Sequence, residues 1–209
     1  SAERSISFRY QAGKDDGVSL TVQHFGRPFN VWRYGLKAHE PFKHDVEGVL
    51  RSAGSFKPQT ERTPDTGQPV GRFGLGFKSV FLVCDKPRIV SGDLQVEICG
   101  GILPKPWSDA GRAIELLNKY AQDRLYRGTL IELAVDHGNL ADVVGRFARY
   151  AGLVAVFSRA LRSVHLDMKD GNRVIDWLPM KPVEGVEVGE TNIPGTPSQI
   201  SRLLVLRAK

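Results

Sequence analysis

The sequence predicts an α+β domain, and three observations predict it. Apolar and polar residues alternate in short runs, as in Ile6–Tyr10 (ISFRY) and Val18–His24 (VSLTVQH), which is the period of half-buried strands. Two longer segments, 109–123 and 140–161, instead repeat apolar residues at helical spacing, as amphipathic helices do. Glycine and proline punctuate the boundaries between these segments, so strands and helices are interleaved within one chain.

Taken in order, the first two strands flank the turn AGKDDG and read as an antiparallel hairpin with one buried face. HFGRPFN then breaks the second strand. Val46, Val49 and Leu50 share one side of a partly helical stretch, and SFKPQTERTPDTGQPV after it has the polar, proline-rich composition of a loop. PRIVS and LQVEIC are strand-like around a Gly-Asp turn, whereas GGILPKPW reads as an irregular connection. Ser108 or Asp109 is placed to cap the helix that follows, with Ala113, Leu116, Leu117 and Tyr120 on its apolar face. RGTLIELAVD (127–136) is a strand, and the helix after it carries Phe147, Ala151, Val154, Phe157 and Leu161 at core spacing. SVHLDM is a further strand. RVIDWLP and ISRLLVLRA read as strands separated by a Gly/Pro-rich linker, EGVEVGETNIPGTPS. The expected division is a domain over 1–168 and a β-rich extension, or the start of a following domain, over 169–209.

At 209 residues, with 41% hydrophobic and 25% charged residues, the composition is that of a globular domain able to bury a core. No run approaches the ~20 apolar residues of a membrane-spanning helix, and SAERSISFRY lacks a signal-peptide pattern. Cys84 and Cys99 lie in apolar contexts without metal spacing, so buried free thiols and a reducing, cytoplasmic compartment are expected. The net charge of +6 suits an acidic partner such as nucleic acid, but the basic residues form no run and read as a solvated surface. HEPFKH is not the zinc-protease H-E-x-x-H, because His44 comes one residue late and Pro41 follows Glu40 where helix is needed.

Chemistry concentrates in Gly71–Ser79, GRFGLGFKS. Gly71, Gly74 and Gly76 precede an apolar helical run, so backbone N–H groups can crowd an anion at a helix N-terminus. Lys78 adds a cation and Ser79 a hydroxyl at the same point. This reads as a nucleotide-phosphate loop. It is not a Walker loop, because Phe77 separates Gly76 from Lys78, and one residue rotates a helical side chain by about 100°. The dinucleotide fingerprint fails too, with Ser79 at its third glycine position.

The string G-x-F-G-x-G-F-K-S-V-F, carried by Gly71, Phe73, Gly74, Leu75, Gly76, Phe77, Lys78 and Ser79 and followed by a proline and I-x-S-G, resembles the second glycine box of the GHKL (Bergerat-type) ATPases. That superfamily includes gyrase, MutL, histidine kinases and the ninety-kilodalton heat-shock chaperones. The fuller pattern looks most like the sacsin-type branch, and the likeness extends to about Met168. The resemblance implies a two-layer α/β sandwich, a mixed and mostly antiparallel sheet covered on one face by helices. It also implies ATP and Mg²⁺ as ligands, and an ATP lid over 30–70. Gly26, Pro28 and Phe29 fall in register with the family's H-[DN]-G-x-P-F, but Phe25 stands where the adenine-reading acid belongs. Ser55 and Lys57 match the S-x-K at the start of sacsin-like lids; Lys57 either meets the phosphates on closure or is a solvent lysine. Thr129, in the G-T of the late strand, is implied as an adenine contact and is equally an ordinary strand residue.

In the family, a helix before the first strand carries the glutamate that activates water and the asparagine that holds Mg²⁺. Ser1–Ser5 cannot form it, and Glu3 is the only acid there. Either the chain is part of a larger protein or the domain is degenerate. The expected function is therefore the ATP-binding domain of a larger ATPase, with lid closure and dimerisation acting on a protein client or DNA. Hydrolysis is expected only if the full protein supplies that helix. The alternatives are a pseudo-ATPase interaction module and, more weakly, direct nucleic-acid binding.

Overall fold

The structure is a computed structural model that describes residues 5–12, 18–26, 28–29, 45–50, 75–120, 128–135, 140–158, 161–168, 171–179, 186–192 and 200–206. The strands are β1 (Ser5–Ala12), β2 (Val18–His24), β3 (Arg88–Ser91), β4 (Leu94–Cys99), β5 (Leu103–Pro106), β6 (Thr129–Val135), β7 (Ser163–Met168), β8 (Gly171–Pro179), β9 (Val186–Asn192) and β10 (Ile200–Leu206). The helices are α1 (Asp45–Leu50), α2 (Leu75–Lys78, continued by a 3₁₀ turn over Ser79–Leu82), α3 (Gly111–Tyr120) and α4 (Leu140–Phe157).

Among the described residues the strands form one ten-stranded sheet in the order β10-β9-β8-β7-β1-β2-β6-β3-β4-β5. Every neighbouring pair is antiparallel except β1 and β7. The domain is therefore α+β, as the sequence predicts, with the mixed, mostly antiparallel sheet that the resemblance implies. β6 and β7 run the same way, so they cannot be joined by a hairpin and need a crossover, which α4 supplies.

Because paired residues face the same side of a sheet, Leu166, Phe8, Val22, Ile131 and Ile89 form one row across β7, β1, β2, β6 and β3. Ala151 and Ala155 of α4 pack on this face against Val164, Leu166, Ile175 and Trp177, with Ile6, Phe8 and Phe147 beside them. The Phe8 and Phe147 rings lie 4.5 Å apart at the edge of the cluster. β8 is thus part of the same core as β1 and β7.

The helices do not all share a face. Ala113 and Leu117 of α3 pack on Val90 and Leu130, together with Trp107 and Ala110. Val90 and Leu130 alternate with Ile89 and Ile131, so α3 lies on the side opposite α4. On that side Arg88 links β3 to both neighbours, 3.1 Å from Glu97 and 3.1 Å from Glu132, with Trp107 5.5 Å from its guanidinium. Its hydrogen bond holds the Glu97 carboxyl below the ordinary value.

Several local expectations change. The turn GGILPKPW contains β5, which pairs with β4; Pro104 and Pro106 are tolerated because β5 is the sheet edge. The Gly/Pro-rich linker contains β9, whose pairing with β8 and β10 outweighs its weak local propensity. Ala110 accepts the first bond of α3, from Ile114 N–H, so the helix begins after Ser108 and Asp109. Among the described side chains of α4, Ala151 and Ala155 are buried while Val154 is exposed: these two lie at i, i+4 and leave Val154 outside their stripe. Cys84 is buried and Cys99 half-buried, both as free thiols.

Candidate functional site

Gly71, Phe73 and Gly74, like Ser55 and Lys57, lie outside the described residues. The described part of the glycine-rich segment starts at α2, which begins at Leu75 and includes Gly76. α2 passes into the 3₁₀ turn, whose Val80 carbonyl accepts from Val83 and Cys84 N–H. Phe77 packs edge-on against Phe81, with centroids 6.2 Å apart. Ser79, the first residue of the turn, is exposed.

Lys78 is committed to protein groups. Its ammonium donates to Leu50 O at 2.8 Å, the last residue of α1, and to Gly101 O in the β4–β5 turn. It also lies 5.8 Å from the Phe81 ring centre. A cation suits a helix C-terminal carbonyl, where the backbone dipoles leave negative potential. Lys78 thus ties α1, α2 and the β4–β5 turn together, and partial burial lowers its pKa from the ordinary lysine value. Lys78→Met, which keeps the aliphatic stem but removes the donors, is expected to lower stability by about 1–2 kcal/mol. Urea unfolding checks this, and an unchanged midpoint would show that the two carbonyls are satisfied without the lysine.

At the other end of β3 a polar row crosses three strands. His24 pairs with Thr129, and Thr129 pairs with Ser91, which places all three on the α4 face. Ser91 and Thr129 share a hydrogen bond of 2.6 Å, and Phe29 N–H donates to Ser91 Oγ at 2.7 Å. Thr129 is only 1% exposed and Ser91 0%, so these hydroxyls need each other. A Cβ added to Gly26 would lie 3.4 Å from His24 Nδ1, so Gly26 leaves room for the imidazole against its backbone. Burial lowers the His24 pKa, which favours the neutral ring at pH 7.

Of the sequence-predicted residues, Gly26 and Thr129 lie at the same end of β2 and β6, where Thr129 pairs with His24, and Lys78 is held by α1 and the β4–β5 turn. Phe25 is 2% exposed and belongs to the core. The residue that shares a face with Thr129 at the end of β2 is His24, one position earlier. Strand alternation carried this signal: in V-Q-H-F-G, His24 has the same parity as Val22 and Leu20. Ser91 enters the sequence reading as part of the strand PRIVS and as the serine of I-x-S-G, with no role attached, and its pairing with Thr129, 38 residues away, is a property of the sheet.

Among the described residues no group of three or more His, Cys, Asp or Glu side chains converges as a metal site, and no helix is long and apolar enough to cross a membrane. No protein-family model and no curated protein matches this chain. Among solved structures, it is similar to the B subunit of the DNA gyrase from Myxococcus xanthus at 12% sequence identity and a TM-score of 0.38. The match covers 90% of this chain and 55% of the gyrase chain, so the chain spans little more than half of that protein's length.

Proposed function

We propose that the chain is an ATP-binding domain of GHKL type. The observation that carries this reading is where the chain leads after the glycine-rich segment. GRFGLGFKS leads into α2 and its 3₁₀ turn, the chain continues into β3, and Ser91 at the end of β3 is bonded to Thr129 beside His24. In this reading Gly71, Gly74 and Gly76 cradle the phosphates with backbone N–H groups. His24, Gly26 and Thr129 receive the base, and Ser55 and Lys57 close over it with the 30–70 lid.

The donor set fits a purine edge. His24 offers one ring donor and one ring acceptor when neutral. No described carboxylate or asparagine is assigned to Mg²⁺, and Lys78 acts as a brace for the loop rather than as its phosphate cation. Closure of the lid would drive a conformational cycle or dimerisation on a protein or DNA partner, within a larger protein. The sacsin-like, chaperone-related branch rests on the sequence string alone.

Calorimetric titration of ATP–Mg²⁺ into this chain and into the full-length protein tests the proposal. Micromolar to millimolar binding is expected, reduced at least about tenfold by Gly74→Asp, which puts a carboxylate and a Cβ where the phosphates approach the backbone. Absence of binding in both proteins would sink the ATP reading and leave a degenerate scaffold serving as an interaction module.

A further inference from the structure

We infer that the outer edge of β10 pairs antiparallel with β10 of a second copy of this chain, joining two sheets into one across a two-fold axis. This does not depend on the nucleotide reading. It comes from the difference between the two ends of the sheet, β5 and β10.

The β5 edge is closed to a further strand. Trp107 N–H donates to Gln95 O of β4, and successive residues of an antiparallel strand turn their backbone groups to alternate sides. Lys105, opposite Glu97, therefore faces β4, and Pro104 and Pro106 take the outward positions. Proline has no N–H, so the outward side of β5 offers carbonyls and no donor. Prolines placed in this way block edge-to-edge pairing.

The β10 edge has no such block. Among the described residues it pairs with β9 alone, along all of Ile200–Leu206, and ISRLLVL contains neither proline nor glycine. The same alternation assigns its outward groups. Trp177 N–H donates to Arg162 O, on the β7 side of β8, so Leu178 turns to β9 and pairs with Glu190. Gly189 and Thr191 then turn to β10, where they meet Leu203 and Ser201. Ile200, Arg202, Leu204 and Leu206 are left with backbone N–H and C=O directed outward, a template for another strand.

Self-complementarity names the occupant. Pairing β10 with its copy about Leu203 overlaps the whole strand, with Arg202 opposite Leu204 and Ile200 opposite Leu206, so each outward N–H meets an outward carbonyl. Arg202 is the only charged residue of β10, and in this register no like charges stand opposite each other. Within the chain Arg202 stands opposite Glu190, which makes it a weak guard of the edge. β5 of another copy is the poorer partner, because it brings no outward donor. The contact therefore closes as a two-fold dimer rather than growing head to tail into a filament.

Sedimentation equilibrium of the full-length protein tests this. A monomer–dimer equilibrium with a Kd of about 1–100 µM is expected. Arg202→Pro combined with Leu204→Pro copies the β5 pattern onto β10, removing outward N–H groups while leaving those that face β9. It should raise the Kd at least about tenfold. Leu204→Lys and Leu204→Glu distinguish a second copy from any other strand. Residue 204 stands opposite Arg202 of the copy, so Lys brings like charges together and Glu brings opposite ones. The Lys variant should dimerise at least about fivefold more weakly than the Glu variant, by a margin that shrinks in high salt. Both are expected to fold, because residue 204 has the parity of Arg202, which shares a sheet face with Glu190 and the exposed Leu178. They decide the question if circular dichroism shows the proline variant unfolded. A protein that stays monomeric at about 100 µM, or a dimer whose Kd the prolines leave unchanged, would overturn the inference. Equal Kd values for the Lys and Glu variants would overturn it as well. None of these outcomes bears on ATP binding.

Discussion

Gly128→Ala is expected to destabilise the protein by at least about 3 kcal/mol, a large share of the stability of an ordinary domain. Gly128 has φ +82°, and a Cβ there would lie 2.1 Å from His24 O and 2.9 Å from Phe25 Cα. The obstruction is backbone, so no side-chain rotation relieves it. β6 would have to withdraw from the end of β2, breaking the pairing of Thr129 with His24. The positive φ adds its own cost to any residue with a Cβ. The same substitution at Gly145 provides the contrast. Gly145 lies within α4, and a Cβ there meets nothing within 4 Å, so Ala should stabilise by about 0.5–1 kcal/mol through helix propensity. Urea unfolding of the two variants should move in opposite directions. A Gly128→Ala protein within about 1 kcal/mol of wild type would show that β6 does not approach β2 this closely.

Trp177→Ala should cost about 3–5 kcal/mol. Trp177 is 1% exposed and is the largest fully buried side chain among the described residues. It fills the space beneath α4 with Ile175, Val164 and Leu166, and its backbone N–H donates to Arg162 O at 2.8 Å. Removing the indole leaves a cavity bordered by rigid strands, which cannot collapse fully. The neighbouring residue is the control. Leu178 points to the other side and is 63% exposed, so Leu178→Ala should stay within about 0.5 kcal/mol. Thermal unfolding followed by circular dichroism separates the two. For a chain of this size, Trp177→Ala should lower Tm by roughly 6–20 °C. A shift as small as that of Leu178→Ala would mean that β8 is not part of the cooperative core.

The two ends of the candidate site differ in how far the sequence reveals them. The glycine spacing of Gly71, Gly74 and Gly76 is a local signal, because an anion-binding loop needs small residues at fixed offsets just before a helix. Thr129 and Gly26 were visible as motif positions. His24 matches the motif's histidine, but the motif gives the base contact to the position of Phe25, and only pairing with β6 shows which of the two faces Thr129. Lys78 reads as a phosphate cation from its place in the motif. Its carbonyl partners, Leu50 and Gly101, are 28 and 23 residues away, and the chain does not disclose them.

The sequence by itself determined the kinds of element and most of their positions. The hairpin β1–β2, the strands β4 and β7, and the helices α3 and α4 follow from periodicity, which depends on neighbours only a few residues apart. Tertiary structure decided burial and partnership. Ser5, Ser7 and Arg9 look like the solvent side of β1, yet they are more buried than Ile6 and Phe8. The reason is their place in the middle of a wide sheet, where both faces of a strand are screened and polarity no longer marks the outside. Arg9 is accommodated there by donating to Gln23 Oε1 at 2.7 Å on the neighbouring strand, as a buried cation must be. Pairing likewise made strands of β5 and β9, whose prolines and glycines argue locally against them. Periodicity records which residues alternate; only the assembled sheet fixes what each face meets.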